Sequence, residues 1–433
     1  MAVLESRGFL TGFATLVLFT GVAGDAWRNS ISWYGFGAVG LLIIAASIAI
    51  LVRHRASLRF GTLPWPLLAF LTLATASIAW SFYPGASALG VLAQFVTTLP
   101  ALAIALVLTG PEILRSLGRA LRIVLVLSLL FELVVAFIVR APVLPVWATA
   151  ADRADPPLML FWSRNLLLAG DKIQGIVGNS ALLSMIGLLA LIVFSVQLAS
   201  GTIKRMSGVL AILLAVVIIG LTRSATIYAA LVAVAVVLAM ILVMRRARTP
   251  RARLVAYAGI TVAVAACVGL ALLFQTTLLS LVGKSDNLTG RSGIWDAVIG
   301  LAQQRPVAGW GWVSFWPPWV EPFNGLIVRN GVMQLHAHNA WLDVWLQLGV
   351  LGLVVFGLLV ATTAVRAWLT ATDRVVSSPG ETGPFSAGSL LAPLLLTALL
   401  VQSLAESRIL VEGGWMLLVI LATSTKLAML GRR

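Results

Sequence analysis

The chain has 433 residues, of which 60% are hydrophobic and only 10% charged, with a mean hydropathy of +1.02. A water-soluble globular chain carries about 25% charged residues, so the composition excludes a soluble protein and gives an all-α, polytopic membrane protein. The net charge of +15 does not point to nucleic acid, because the basic residues fall in short clusters between apolar runs rather than on one soluble face. The lone cysteine, Cys267, lies in an apolar run. It permits no disulfide within the chain and reads as a small packing residue.

Apolar runs near the length of a bilayer crossing fall at 8–24, 34–52, 63–80, 91–109, 118–140, 175–198, 206–221, 224–244, 254–275, 338–365, 387–404 and 409–430. About twelve membrane helices are therefore expected, in one integral membrane domain over 1–433. The first run shows no small-residue cleavage site and reads as a retained helix. Only Leu221-Thr222-Arg223-Ser224 separates the seventh run from the eighth. Lysine and arginine set the orientation. With a cytoplasmic N-terminus, about 19 of the 30 fall on the inner side, among them Arg53, Arg55 and Arg59, Arg115 to Arg122, Lys204-Arg205, Arg245 to Arg253, Arg366, Arg374 and Arg432-Arg433. Both termini are then cytoplasmic. Two outer loops are long: 141–174, and 276–337 between the ninth and tenth helices. The inner loop 367–386 reads as a flexible connector.

The polar island 276–341 is the most concentrated ionisable chemistry in the chain, with His336 and His338 beside Lys284, Arg291 and Arg329. Arg223, Arg291, Arg329 and Arg408 fall on the outer side, against the charge rule. An arginine at membrane depth marks a site or a satisfied pair; for Arg408 the local pair is Glu406. The functional reading is anion recognition, since planar guanidiniums bind phosphate oxygens in pairs and stay charged. A histidine at a helix start is either a hydrogen-bonded cap or a general base, and Asn339 is placed to orient a ring or a hydroxyl. A metal needs more ligands than the two histidines, and no nearby histidine, cysteine or HExxH spacing supplies them. Trp310, Trp312, Trp316 and Trp319 read as an interfacial aromatic belt, with stacking on sugar faces as the alternative. Gly309 and Gly311 read as turn glycines. Glu132 is an intramembrane acid without an evident partner, and reads as a transport relay, a protonated acid or an acid paired to a neighbouring helix.

TGRSGIW, QQRPVAGWGWVSF and HAHNAWLDVWLQLGVLGLVVF together resemble the signature of the O-antigen ligase and polymerase superfamily. ASIAWSFYPGASALGVLAQF, KIQGIVGNSALLSMIG, GLTRSATIYAALVA and LAESRIL resemble further segments of it in the expected order, over about two-thirds of the chain. The resemblance implies a membrane glycosyltransferase that moves a glycan from an undecaprenyl pyrophosphate donor to an acceptor hydroxyl on the extracytoplasmic face of the bacterial cytoplasmic membrane. It implies inversion at the sugar and no metal or other cofactor. The family's essential positions fall on Arg223 and Arg291, which hold the donor pyrophosphate, and on His338, the general base. Arg408 and Lys284 are further candidates for the pyrophosphate, and His336, Asn339 and Arg329 for supporting roles. Loops 141–174 and 315–335 match no motif and are expected to recognise a glycan or lipid-linked acceptor. A polymerase extending a lipid-linked glycan is the alternative within the superfamily. A transporter or flippase of lipid-linked sugars is the alternative of another class.

Overall fold

The computed structural model describes residues 2–55, 60–273, 291–329, 332–373, 376–378 and 381–431. Its helices are α1 (Arg7–Val22), α2 (Gly24–Arg53), α3 (Trp65–Ala76), α4 (Pro84–Val107), α5 (Gly110–Val134), the short α6 (Ala150–Ala154), α7 (Ser180–Ala199), α8 (Arg205–Thr222), α9 (Ala225–Arg246), α10 (Pro250–Leu273), α11 (Ser292–Ala302), α12 (Ala340–Thr372), α13 (Leu391–Ser403) and α14 (Glu412–Leu430). Two hairpins lie in the connections: β1 (Val328–Arg329) with β2 (Val332–Met333), and β3 (Val376–Ser378) with β4 (Glu381–Thr382). Among the described residues, α2, α4, α5, α7, α8, α9, α12 and α14 are the helices long and apolar enough to cross a membrane by length and composition. The expected runs at 8–24, 63–80 and 387–404 form the shorter apolar helices α1, α3 and α13. The run at 254–275 forms α10.

Side-chain oxygens set several helix starts. Thr109 and Glu112 close a capping box at α5, and Asn179 accepts from the Leu182 N–H at 3.0 Å to open α7. Helix α7 is apolar all round and sits inside the bundle, packed on α5, α8 and α13, as a helix without a polar face must. Helix α14 packs on α1, α4 and α12. At its start a Cβ on Gly413 would lie 2.6 Å from the Gly21 carbonyl oxygen, so only glycine permits this crossing.

The aromatic centre is Phe70, with Trp312 and Trp415 each 5.2 Å away between ring centroids and Phe356 at 6.0 Å. Trp312 comes from the polar island, so that loop is rooted in the core. Trp312 and Trp316 are fully buried, while Trp319 is 74% exposed. Trp310 packs at a tilt against Phe82, 5.0 Å between centroids, and donates to the Leu301 carbonyl. The expectation of one aromatic belt is thus corrected: two of these rings are core residues.

Their path into the core runs through a break in α12. Gly349 has φ +64 and ψ −163, outside any helical region. The interruption frees backbone groups that hydrocarbon cannot satisfy, and segment 306–314 satisfies them. Val350 and Leu351 N–H donate to the Pro306 and Val307 carbonyls, while the Leu346 and Gln347 carbonyls accept from Trp310 and Gly311. The Gln347 carboxamide accepts from the Val313 and Ser314 N–H groups at 2.8 and 3.0 Å. Gly309 and Gly311, at φ +69 and +111, turn the chain beside the helix.

Glu132 is also corrected. Its carboxylate accepts from the Gln174 and Gly175 N–H groups at 2.9 and 2.7 Å and from Ser163 Oγ at 3.0 Å. Those bonds pin loop 141–174 against α5, which is an anchor rather than a relay.

Candidate functional site

Five helix ends meet at one end of the bundle: the starts of α7, α9 and α12 and the ends of α8 and α13. Between several of them lies a cavity of about 620 Å³. Arg164 and Lys172 enter it from the loop before α7, Arg223 from the α8–α9 junction, and Arg291 from the residue preceding α11. Glu406, beyond α13, is the one acid among its described lining residues. The first turns of α7 and α9, Ser180-Ala181 and Ala225 to Ile227, also line it. Helix N-termini present unpaired N–H groups and a positive dipole end. Four cations and two helix N-termini around one opening favour an anion.

Arg223 caps α8 in the left-handed region at φ +47, which turns the chain directly into α9. Its guanidinium makes no hydrogen bond or ion pair among the described residues, which leaves all its donors for a ligand. Arg291 is different: its Nη2 donates to Glu406 Oε1 at 2.8 Å. The other oxygen, Oε2, lies 3.0 Å from His338 Nδ1. One carboxylate thus joins the cavity arginine to the imidazole. On the far side of that ring, Nε2 lies 3.0 Å from Gln334 Oε1. A protonated ring donates to both oxygens; a neutral one with its proton on Nδ1 requires Gln334 to present its NH2 instead.

The backbone fixes this ring firmly. His338 has φ +51, a strained region for a non-glycine residue. Its N–H donates to His336 Nδ1 at 3.1 Å, so that nitrogen carries no proton. The two rings lie 4.1 Å apart. Beneath them, Asp343 Oδ2 accepts from the Ala337 N–H at 3.0 Å and from Ser407 Oγ, tying the histidine segment to the Glu406 segment. Asn339 Oδ1 accepts from the Trp341 and Leu342 N–H groups and so caps α12.

Burial alone would raise the Glu406 carboxyl, but the His338 hydrogen bond and the surrounding positive charge, Arg291 included, hold it down at about 2. For His336, burial is the main cause that pushes the ring down to about 3, with His338 acting in the same direction. The sign for stability follows from an unfolded value near 6.5. The unfolded chain takes up a proton that folded His336 refuses, so stability is full above pH 6.5 and drains as pH falls toward 3. Between pH 6.5 and 5 Glu406 is mostly ionised in both states and adds little slope. His336→Asn, which keeps an acceptor for the His338 N–H, should flatten the fall in melting temperature over that window. Equal slopes for the two proteins in detergent would contradict this.

Donor atoms of His336, His338 and Glu406 lie within 4.8 Å of one another, a spacing that could hold a metal ion. Competing bonds oppose it: both Glu406 oxygens are engaged, one by a guanidinium, and His336 Nδ1 is occupied.

Of the residues singled out from sequence, Arg223 and Arg291 line the one cavity, and His338 reaches it through Glu406. Arg408 does not join them. It pairs with Glu412 at 2.9 Å, in a cluster with Arg28 and Asp25, so the expected Arg408–Glu406 pair is corrected. Lys284 lies outside the described residues, as do Arg59, Arg374, Arg432 and Arg433. The side chains of Arg329 and Cys267 are outside them as well. Sequence reasoning missed Arg164, Lys172, Asp343 and Glu406 as site residues; only the ordered AESR segment carried a signal for Glu406.

A search of curated proteins gives no significant match. The model of the O-antigen ligase family matches residues 208–357, from the first turn of α8 to just past the break in α12. The matched segment contains Arg223, Arg291 and His338 and stops short of Glu406. That match supports membership of the O-antigen ligase superfamily.

Proposed function

We propose that the chain transfers a glycan from a polyprenyl (undecaprenyl) pyrophosphate donor to an acceptor hydroxyl, with inversion and without a metal. The reaction takes place on the extracytoplasmic face of the bacterial cytoplasmic membrane. Superfamily membership implies a membrane glycosyltransferase of ligase or polymerase type. The observation that carries the finer reading is Glu406, which holds Arg291 with one oxygen and His338 with the other at a cavity that also contains Arg223.

In this reading Arg223 and Arg291, helped by Lys172 and Arg164, bind the pyrophosphate. The acceptor oxygen attacks the anomeric carbon as the bond from that carbon to the phosphate oxygen breaks. The electron pair leaves with the pyrophosphate, whose growing charge the guanidiniums stabilise. The hydroxyl proton passes to His338 Nε2, and the Glu406 carboxylate stabilises the imidazolium that forms. Gln334, now on Nε2, marks the place the acceptor hydroxyl takes. The lysine and arginine distribution supports an outward-facing site, because the cavity lies at the end that distribution assigns to the outer side.

The test is mass spectrometry of products from purified protein, a defined polyprenyl pyrophosphate-linked glycan and candidate acceptors. The expected product is acceptor carrying the glycan with inverted anomeric configuration, with free polyprenyl pyrophosphate, and unaffected by a chelator. Movement of the donor across a proteoliposome bilayer with no transfer to any acceptor would point to a transporter instead.

A further inference from the structure

A second basic cavity lies at the other end of α9, which at about 1.5 Å per residue is roughly a bilayer core away from the first. Its volume is about 650 Å³, and it is lined by Arg245, Arg248 and Arg253 with Asp373 and Phe385. Two of the three arginines are committed. Arg245 donates to the Ala371 carbonyl and to Ser389 Oγ, each at 2.8 Å, and lies over the Phe385 ring. Arg253 donates to the Thr372 carbonyl and to Asp373 at 2.8 and 2.6 Å. Arg248 has no partner among the described residues, and Asp373 offsets only one of the three charges. Residues Thr249 and Pro250, at the start of α10, complete the rim.

A chiefly apolar cavity of about 490 Å³ adjoins it, between the start of α5, the end of α12 and α14. No residue lines both, but the linings interleave along the end of α12 and segment 385–389: Thr370, Ser386 and Ser389 line the apolar cavity, Thr372, Asp373 and Phe385 the basic one, and Arg245 of the basic cavity donates to Ser389 Oγ of the apolar one. A net positive cavity beside an apolar one, at a helix end, matches an amphiphile with an anionic head. We infer that this pair of cavities binds an anionic glycerophospholipid, with its phosphate against Arg248 and an acyl chain in the apolar cavity. The site is separate from the transfer site and does not depend on the proposed reaction.

Native mass spectrometry of the delipidated protein, titrated with phosphatidylglycerol, phosphatidylcholine or inorganic phosphate, tests it. One basic residue at a membrane surface contributes about a fivefold preference for an anionic lipid. Phosphatidylglycerol should therefore bind at least about fivefold better than phosphatidylcholine. Arg248→Gln should remove most of that preference, and Ala428→Trp, at the exposed rim of the apolar cavity, should weaken both lipids. Equal binding of the two lipids by the unmodified protein overturns the inference, whatever the variants do. So does an unchanged preference in Arg248→Gln, or displacement of phosphatidylglycerol by millimolar inorganic phosphate, which would assign the cavity to a free anion.

Discussion

Glutamine in place of Glu406 is expected to lower glycan transfer by about 10²-fold or more, and to lower the melting temperature as well, because the ionised carboxylate stabilises the fold through both its partners. Glutamine keeps the shape of the side chain and an oxygen for either Arg291 or His338, but not the negative charge. That charge is firmly present in the native protein, since the carboxyl is held at about 2. Without it, an imidazolium on His338 loses its hydrogen-bonded counter-charge after it takes the acceptor proton. The Arg291 guanidinium also loses the partner that aims it. Glu406 acts through these two groups, so it is a positioning residue. Donor binding should weaken far less than turnover, because Arg223 is independent of it. Transfer within about threefold of the unmodified rate would remove Glu406 from the mechanism.

Alanine at Gly349 should destabilise the protein by about 3 kcal/mol or more, seen as a large drop in melting temperature or loss of folded protein. Its φ and ψ belong to a region that only glycine adopts freely, and forcing another residue there costs about 1–3 kcal/mol. The added Cβ would also lie 2.1 Å from the Val307 carbonyl oxygen. That contact is with backbone, so it can be relieved only by pushing segment 306–311 out of the break. The hydrogen bonds from Val350, Leu351, Trp310 and Gly311 would go with it. Gly357, two helical turns on, has open space where a Cβ would stand. Gly357→Ala is therefore the control, expected to leave stability unchanged or slightly raised. Similar melting temperatures for the two variants would contradict this account of the break.

These two residues mark how far the sequence could be read. Arg223, Arg291 and His338 stood out as candidates because they are charged or titratable groups in the wrong place for a membrane protein, and each keeps that signature in isolation. Glu406 was not. In AESR its visible neighbour is Arg408, two positions away, yet its partners are Arg291 and His338, at separations of 115 and 68 residues. Arg164 and Lys172 were hidden for a similar reason: a loop with mixed charges says nothing about which cations face a cavity. The apolar runs located the helices well, since hydropathy needs no partner. The break in α12 left no trace in hydropathy, because the run at 338–365 stays apolar through Gly349. It exists only because segment 306–311 supplies the missing hydrogen bonds. Trp312 and Trp316 were misread with it, as their burial depends on that insertion. Glu132 lacked a visible partner because its partners are backbone N–H groups, which every sequence contains and none displays.

Equilibrium binding of a purified polyprenyl pyrophosphate-linked glycan, measured beside single-turnover transfer in Arg223→Ala, Arg291→Ala and His338→Ala, tests the central claim most directly. The account predicts that His338→Ala binds the donor about as tightly as the unmodified protein and transfers at least about 10²-fold more slowly. Each arginine variant should lose donor affinity as well as transfer, by about tenfold or more. Unimpaired transfer in any of the three, or donor affinity that neither arginine variant changes, would contradict it.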